Sequence, residues 1–339
     1  MINFVYRLVA AKQIRVDYLE ESLSGDKVIV RPRYLSICAA DQRYYSGKRD
    51  PEAMKKKLPM ALIHEGVGEV VYDKSGKFSV GDMVVMIPNT PKESDEVIKE
   101  NYLRSSRFRA SGYDGFMQNL VFIDGSRLIK FDDIPLEVSA FLELVSVSVN
   151  GCYRFKEISH SRRDRIGVWG DGSVGFVTAL VLRQLFPAAE ITVVGVHEEK
   201  LDHFSFIRNR YTVDRIPTDF KVDHAFECVG GSFSSNAINQ IIDYIEPQGT
   251  INLLGVSETD VGINTRMVLE KGLTIVGHSR SGYVEFAKAV ELLNGNYEVS
   301  RYLQSIVSVL VEVNTVDDIH RAFIADQTSQ FKTVMKWNL

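Results

Sequence analysis

The chain has 339 residues, of which 45% are hydrophobic and 25% charged, and its formal net charge is -4. That length exceeds one ordinary hydrophobic core and predicts two domains, with the composition of a soluble globular protein. The small negative charge gives no global attraction for nucleic acid or an anionic membrane. No apolar run approaches the roughly 18 residues of a membrane span, and the N-terminus lacks a basic leader with a long apolar core, so a cytoplasmic protein is expected.

Up to about residue 130 the chain offers short β-rich runs, VIVRPRY (28–34), EVVYD (69–73), DMVVMI (82–87) and NLVFI (119–123), separated by Gly and Asp turns. They predict an irregular, barrel-like β domain. Cys38 closes the first of these strands and Asp41 follows it, while HEGVGEV places His64 and Glu65 before a glycine-lined strand. The polar stretch 91–111 reads as a surface excursion with a helical piece of no evident role. Glu143 lies in the mostly apolar run AFLELVSVSV (140–149), where a carboxylate is costly unless paired, protonated or bound to metal.

From IGVW (166–169) the pattern changes to strand alternating with helix. A glycine turn, GDGSVG (170–175), opens a helix over 174–186, and ITVVGV (191–196) is a buried strand. VDHAFEC (222–228), TINLLG (250–255) and LTIVG (273–277) are further strands, with a helix over 236–245. Such alternation predicts right-handed crossovers and a parallel sheet covered on both faces, an α/β architecture. The tail carries a capping box, Thr315 to Asp318, before a helix, and a last strand, FKTVMKW (331–337), predicted to complete the first domain.

Two constellations carry chemistry. A thiolate, an imidazole and carboxylates are what a catalytic zinc needs, with a position left for water or substrate, and Cys38, His64, Glu65 and Glu143 supply them. Each alone is as compatible with packing as with ligation. Cys38, Cys152 and Cys228 are the only cysteines, too few for a disulfide framework or a separate four-thiolate zinc. In the turn, Gly170, Gly172 and Gly175 have dinucleotide-site spacing, and the backbone at Ser173 and Val174 opens the helix toward a pyrophosphate. Twenty residues past Gly175, where an NAD site places an acid, stands Gly195, with His197 and Lys200 nearby; this predicts NADP(H).

In order, SICAAD, LIHEGVGEV with VGD (80–82), ELVSVSV and GDGSVG resemble the motifs of the zinc-dependent medium-chain dehydrogenase/reductase family over the whole chain. The resemblance implies a GroES-like catalytic domain, 1–146 completed by 282–339, and a Rossmann domain over 147–281. It also implies one catalytic zinc on Cys38, His64 and Glu143, with Glu65 able to join or exchange with water. Relatives often carry Ser or Thr two residues after the zinc Cys as a proton relay; here the residue is Ala40.

SICAADQRYY, LPMALIHEGVGEVV, VVMIPNTP, HAFECVGG, NLLGVSE and GHSRSG further resemble the subgroup that reduces ribulose 5-phosphate with NADPH to ribitol 5-phosphate for CDP-ribitol, a precursor of teichoic acids and some capsules. That resemblance implies coupling to a cytidylyltransferase and a homodimer. Tyr44, Arg43, Lys48, Arg49 and Arg280 are the candidate substrate and phosphate residues, with Arg280, after the last Rossmann strand, the first choice for the phosphate; each is also readable as core aromatic or solvated cation. The competing readings are a polyol or secondary-alcohol dehydrogenase of an unphosphorylated substrate, and a zinc-free NADP(H)-binding regulatory protein.

Overall fold

The computed structural model describes residues 1–23 and 25–339. The chain divides into two compact units, Met1–Ser146 with Ser281–Leu339, and Val147–Arg280.

The first unit is built on antiparallel strands. A hairpin, Ile2–Ala10 with Gln13–Glu20, forms a small sheet with Met60–Ala61. The larger sheet runs in the order Leu128–Lys130, Met83–Met86, Glu65–Tyr72, Val28–Ser36, Lys332–Trp337, Val307–Val313, and Val121–Ile123 also pairs with Val28–Ser36. The strand from the C-terminal tail therefore lies inside this sheet, antiparallel to Val28–Ser36 and parallel to Val307–Val313. Phe116, Phe323, Tyr45 and Trp337 are fully buried in the core beneath, each contributing on the order of 1.5–3 kcal/mol by leaving water.

The tail helix, Val316–Asp326, starts as expected. Thr315 accepts from the Asp318 amide, and the Asp318 carboxylate accepts from the Thr315 amide. Its buried residues Ile319, Ala322 and Phe323 recur at helical spacing on one face. Phe323 stacks on Tyr45 at 4.2 Å, and its carbonyl accepts from Gln42, so this helix anchors the short helix Ala39–Tyr45.

One expectation fails in this unit: the excursion 91–106 contains no helix. Pro91 cannot donate to a helix, and the Asp95 side chain takes the amides of Val97 and Ile98 in a local turn. Glu100 ties the segment down, accepting from the Arg127 guanidinium and the Tyr283 amide.

The second unit is a six-stranded parallel sheet in the order Asn209–Thr212, Glu190–Gly195, Arg165–Trp169, His224–Glu227, Thr250–Leu253, Thr274–Gly277. Its strands are short, and the central ones are buried, as a sheet covered by helices requires. Helices Ser173–Leu185 and Ser234–Tyr244 supply cover; the latter buries Ala237, Ile238, Ile241 and Ile242 against Trp169 and Ile251. The strand order reverses at Arg165–Trp169, which sets the crevice at its carboxyl end.

Candidate active site

In the first unit, sheet register brings the metal candidates together. Ser36 at the end of one strand faces Glu65 at the start of its neighbour. Two residues past Ser36, Cys38 takes the N-cap position of helix Ala39–Tyr45. His64 arrives through Ile63, which holds a left-handed φ of +71°, a strained conformation for a β-branched residue. The strain is held from both sides: the Ile63 amide donates to Asp41 Oδ1 at 2.9 Å, and its carbonyl accepts from Phe116 at 2.7 Å.

Asp41 is almost completely buried and organises this corner. Its Oδ2 accepts from the Cys38 amide and lies 3.4 Å from His64 Nδ1. A carboxylate on one ring nitrogen orients the imidazole and leaves Nε2 for a ligand, the arrangement usual behind metal-bound histidines. Burial alone would depress the His64 pKa, but Asp41 and Cys38 outweigh it and raise it well above the ordinary value.

Cys38, His64 and Glu65 each offer one ligand atom, and these atoms lie within 4.8 Å of one another. Glu143, in the first turn of helix Leu142–Ile158, is buried but falls outside that group. Its pKa is pushed up to about 7, first by burial and then by Glu65, against the opposing pull of His64 and Lys332. Asp326 is likewise raised to about 6, chiefly by burial. The corner thus concentrates acids around a thiol and an imidazole, with Lys332 as a buried cation. A soft, nitrogen and oxygen donor set with excess negative character fits a zinc ion.

Lys332 was not singled out from sequence. It donates to Glu65 Oε2 at 2.7 Å and to the Ile37 carbonyl at 2.8 Å. The available signal was a lysine opening a strand that is buried along most of its length.

In the second unit, the glycine turn joins Arg165–Trp169 to helix Ser173–Leu185, with Gly172 at the N-cap. A Cβ on Gly175 would lie 1.9 Å from the Gly170 carbonyl oxygen, so only glycine lets the helix close on the turn. Gly170, Gly172, Gly195 and His197 line a cavity of about 870 Å³ together with Asp171 and Val196. That size and its place at the sheet's crevice fit a dinucleotide's adenosine end. Ser173, Val174 and Gly175 lie at the start of the helix, and Lys200 sits in the short helix Glu198–Asp202; none of these four lines the cavity.

The substrate candidates separate. Tyr44 is buried, with the Arg49 guanidinium 4.9 Å and the Lys57 ammonium 5.8 Å from its ring centre. Lys57, not singled out from sequence, also donates to Ser111. From the same segment, Phe108 packs on the His64 ring at 5.3 Å. Arg43 is half-buried in the last turn of its helix, and Lys48 is exposed. Arg280, in the second unit, has a left-handed φ of +58°, and its carbonyl accepts from Asn150.

Residues 24–133 match the alcohol dehydrogenase GroES-like domain and residues 174–295 the zinc-binding dehydrogenase domain. Over 341 aligned residues the chain is 52% identical to a ribulose-5-phosphate reductase of Bacillus spizizenii, covering 100% of both. The chain belongs to the zinc-binding dehydrogenase family. Ribulose-5-phosphate reductase 1 of Staphylococcus aureus is 51% identical over 99% of each chain. The crystal structure of S. aureus TarJ in complex with NADPH superposes with a TM-score of 0.90, at 46% identity and complete coverage of both chains. The first match spans Cys38, His64 and Glu65, and the second begins within the glycine turn, at Val174. Among the described residues no helix is long and apolar enough to cross a membrane.

Proposed function

We propose that this chain reduces the ketone of D-ribulose 5-phosphate with NADPH, giving D-ribitol 5-phosphate and NADP+, and so supplies CDP-ribitol for teichoic acid or capsule. The observation that carries this reading is end-to-end identity of about half with proteins named ribulose-5-phosphate reductase, in a chain that assembles Cys38, His64 and Glu65. NADPH as reductant rests on the complex of the similar S. aureus protein and on Gly195 standing where a ribose-binding acid would be.

The unit Met1–Ser146 with Ser281–Leu339 takes the catalytic role, and Val147–Arg280 holds the dinucleotide. Cys38, His64, Glu65 and Glu143 are the residues that would hold zinc. When bound, zinc supplies Lewis-acid polarisation of the ketone and NADPH supplies the hydride. Asp41 keeps His64 in its ligating orientation, and Lys332 fixes Glu65. Ala40 has no hydroxyl to pass a proton to the product oxygen, which leaves solvent or the Tyr44 hydroxyl as the route, with Glu65 in support.

For the substrate's phosphate, Arg49 and Lys57 are the favoured cations. Both approach Tyr44, which lies on the helix that starts at Cys38, and Lys57 bonds the segment whose Phe108 touches His64. In ribulose 5-phosphate the ketone carbon and the phosphate are roughly 6 Å apart in an extended chain. Arg43, Lys48 and Arg280 complete the candidate set. The protein works in the cytoplasm as a homodimer, joined through the exposed edge Thr274–Gly277, and delivers its product to a cytidylyltransferase.

The test is NADPH oxidation with ribulose 5-phosphate, before and after chelation and again after adding zinc. Turnover that vanishes on chelation and returns with zinc is expected. Equal turnover on free ribulose would favour a polyol dehydrogenase, and no oxidation with either sugar would sink the enzymatic reading.

A further inference from the structure

Asp171 stands between the first two glycines of the GDGSVG turn, an odd place for an acid. A carboxylate facing a pyrophosphate would repel it, so its charge must be used elsewhere. The structure shows where. Asp171 Oδ2 accepts from the Val196 amide at 2.8 Å, the His197 amide at 2.8 Å and His197 Nδ1 at 3.0 Å. The side chain thus crosses from the turn to the end of strand Glu190–Gly195 and grips the residues that follow it.

This crossing explains Gly195 in a second way. A Cβ there would come within 2.6 Å of Asp171 Cβ and 2.9 Å of its Oδ2, so a side chain at 195 and the Asp171 grip exclude each other. The acid of an NAD site at this strand end is not merely missing; its space is taken by a carboxylate rooted one strand away. Oδ2 already carries three donors, whereas the His197 side chain is 49% exposed. With Nδ1–H donated to Asp171, the imidazole is fixed, and in its protonated form it offers Nε2–H as a second donor. Asp171, Gly195, Val196 and His197 all line the 870 Å³ cavity.

We propose that Asp171 is a specificity-determining positioning residue: it holds the 196–197 backbone and the His197 ring so that His197 receives the 2′-phosphate of NADPH. Asp171 acts through His197 and does not itself contact the phosphate. The proposal rests on the NADPH reading above, and the experiment separates the two.

The probes are adenosine 2′,5′-bisphosphate and 5′-AMP, titrated calorimetrically into the full-length protein, so that the readout is binding and not turnover. Asp171→Ala and His197→Gln are each expected to weaken the bisphosphate about tenfold, the loss of one charge-assisted hydrogen bond, and to change 5′-AMP less than about twofold. Because the two residues act as one device, the double variant should be no weaker than His197→Gln alone. His197→Gln alters a half-exposed side chain and tests the phosphate contact even if Asp171→Ala folds poorly. Equal losses on both probes from Asp171→Ala would make Asp171 a ribose or structural residue and overturn the proposal. So would tighter bisphosphate binding, or additive losses in the double variant. Wild-type protein that binds 5′-AMP as tightly as the bisphosphate would instead overturn the NADPH reading.

Discussion

Glu65 and Lys332 are 267 residues apart in the chain and 2.7 Å apart in the fold, both almost wholly buried. Removing one partner of such a pair strands the other charge in the interior, at a cost of about 3 kcal/mol or more. Lys332→Met should therefore lower the unfolding free energy of the metal-free protein by that amount in urea denaturation. Glu65→Gln with Lys332→Met should recover most of the loss. A single-variant loss below about 1 kcal/mol would mean that solvent reaches the pair.

The metal corner is one site. Elemental analysis of the purified protein should give one zinc per chain, because Cys38, His64 and Glu65 are the one group of this kind among the described residues. Cys38→Ala and His64→Ala should abolish turnover and leave NADPH binding measurable by fluorescence. Two tightly held zincs would contradict the assignment.

Charge-assisted contacts to a phosphate dianion each contribute roughly 1.5–3 kcal/mol, about tenfold to a hundredfold in affinity. Arg49→Met and Lys57→Met should raise KM for ribulose 5-phosphate by such a factor and leave that for free ribulose nearly unchanged. Arg280→Ala assayed in parallel decides whether the second unit contributes. Equal losses on both sugars would reassign the cation concerned to a structural role.

His224 is buried with its ring 4.2 Å from that of His160, and its pKa is depressed to about 4, chiefly by burial. Its Nε2 bonds the Arg162 carbonyl, and its Nδ1 accepts from the Thr250 amide, so the folded state holds it neutral. The unfolded chain takes up the proton near pH 6.5, so stability from this residue is intact above that pH and falls as pH drops from about 6.5 toward 4. His224→Gln should flatten the decline of Tm between pH 7 and pH 5. An unchanged slope would locate the acid sensitivity elsewhere.

Among the described residues, the edge strand Thr274–Gly277 pairs on one side only, with Thr250–Leu253. An open, largely apolar edge is a template for a second strand, and a two-fold axis satisfies it with an identical copy. Light scattering at micromolar concentration should give a dimer, and Ile275→Pro, which removes an amide on the open side of the strand, should shift it toward monomer. A wild-type monomer would remove this interface.

Much of the fold was legible because its signals are local. Strand–turn–helix order from Arg165 onward follows from periodicity and glycine placement, and the Thr315 capping box from four residues. The opening hairpin was missed although Gln13–Tyr18 alternates strictly between polar and apolar residues; its partner Ile2–Ala10 does not alternate. The helix Leu142–Ile158 begins with a β-branched run, VSVSV, that local propensity would not place in a helix; burial decides it. At the site, Cys38, His64 and Glu65 were readable from their neighbours in sequence. Lys332, Lys57 and the Asp171 grip were not, because they depend on sheet register, on the packing of two short helices and on a side chain crossing between strands, respectively.

The strand Lys332–Trp337 lies between two others of its sheet, and its first residue holds Glu65. On the ribosome, residues 147–280 form one uninterrupted stretch and can complete their sheet as they emerge. The N-terminal strands emerge earlier but must wait, with Tyr34–Ser36 unpaired along one side, until residues 332–337 are made. A nascent chain arrested before residue 332 should thus display a finished parallel-sheet unit beside a metal corner that cannot yet close, and pulse proteolysis of stalled chains should cut the N-terminal segment first.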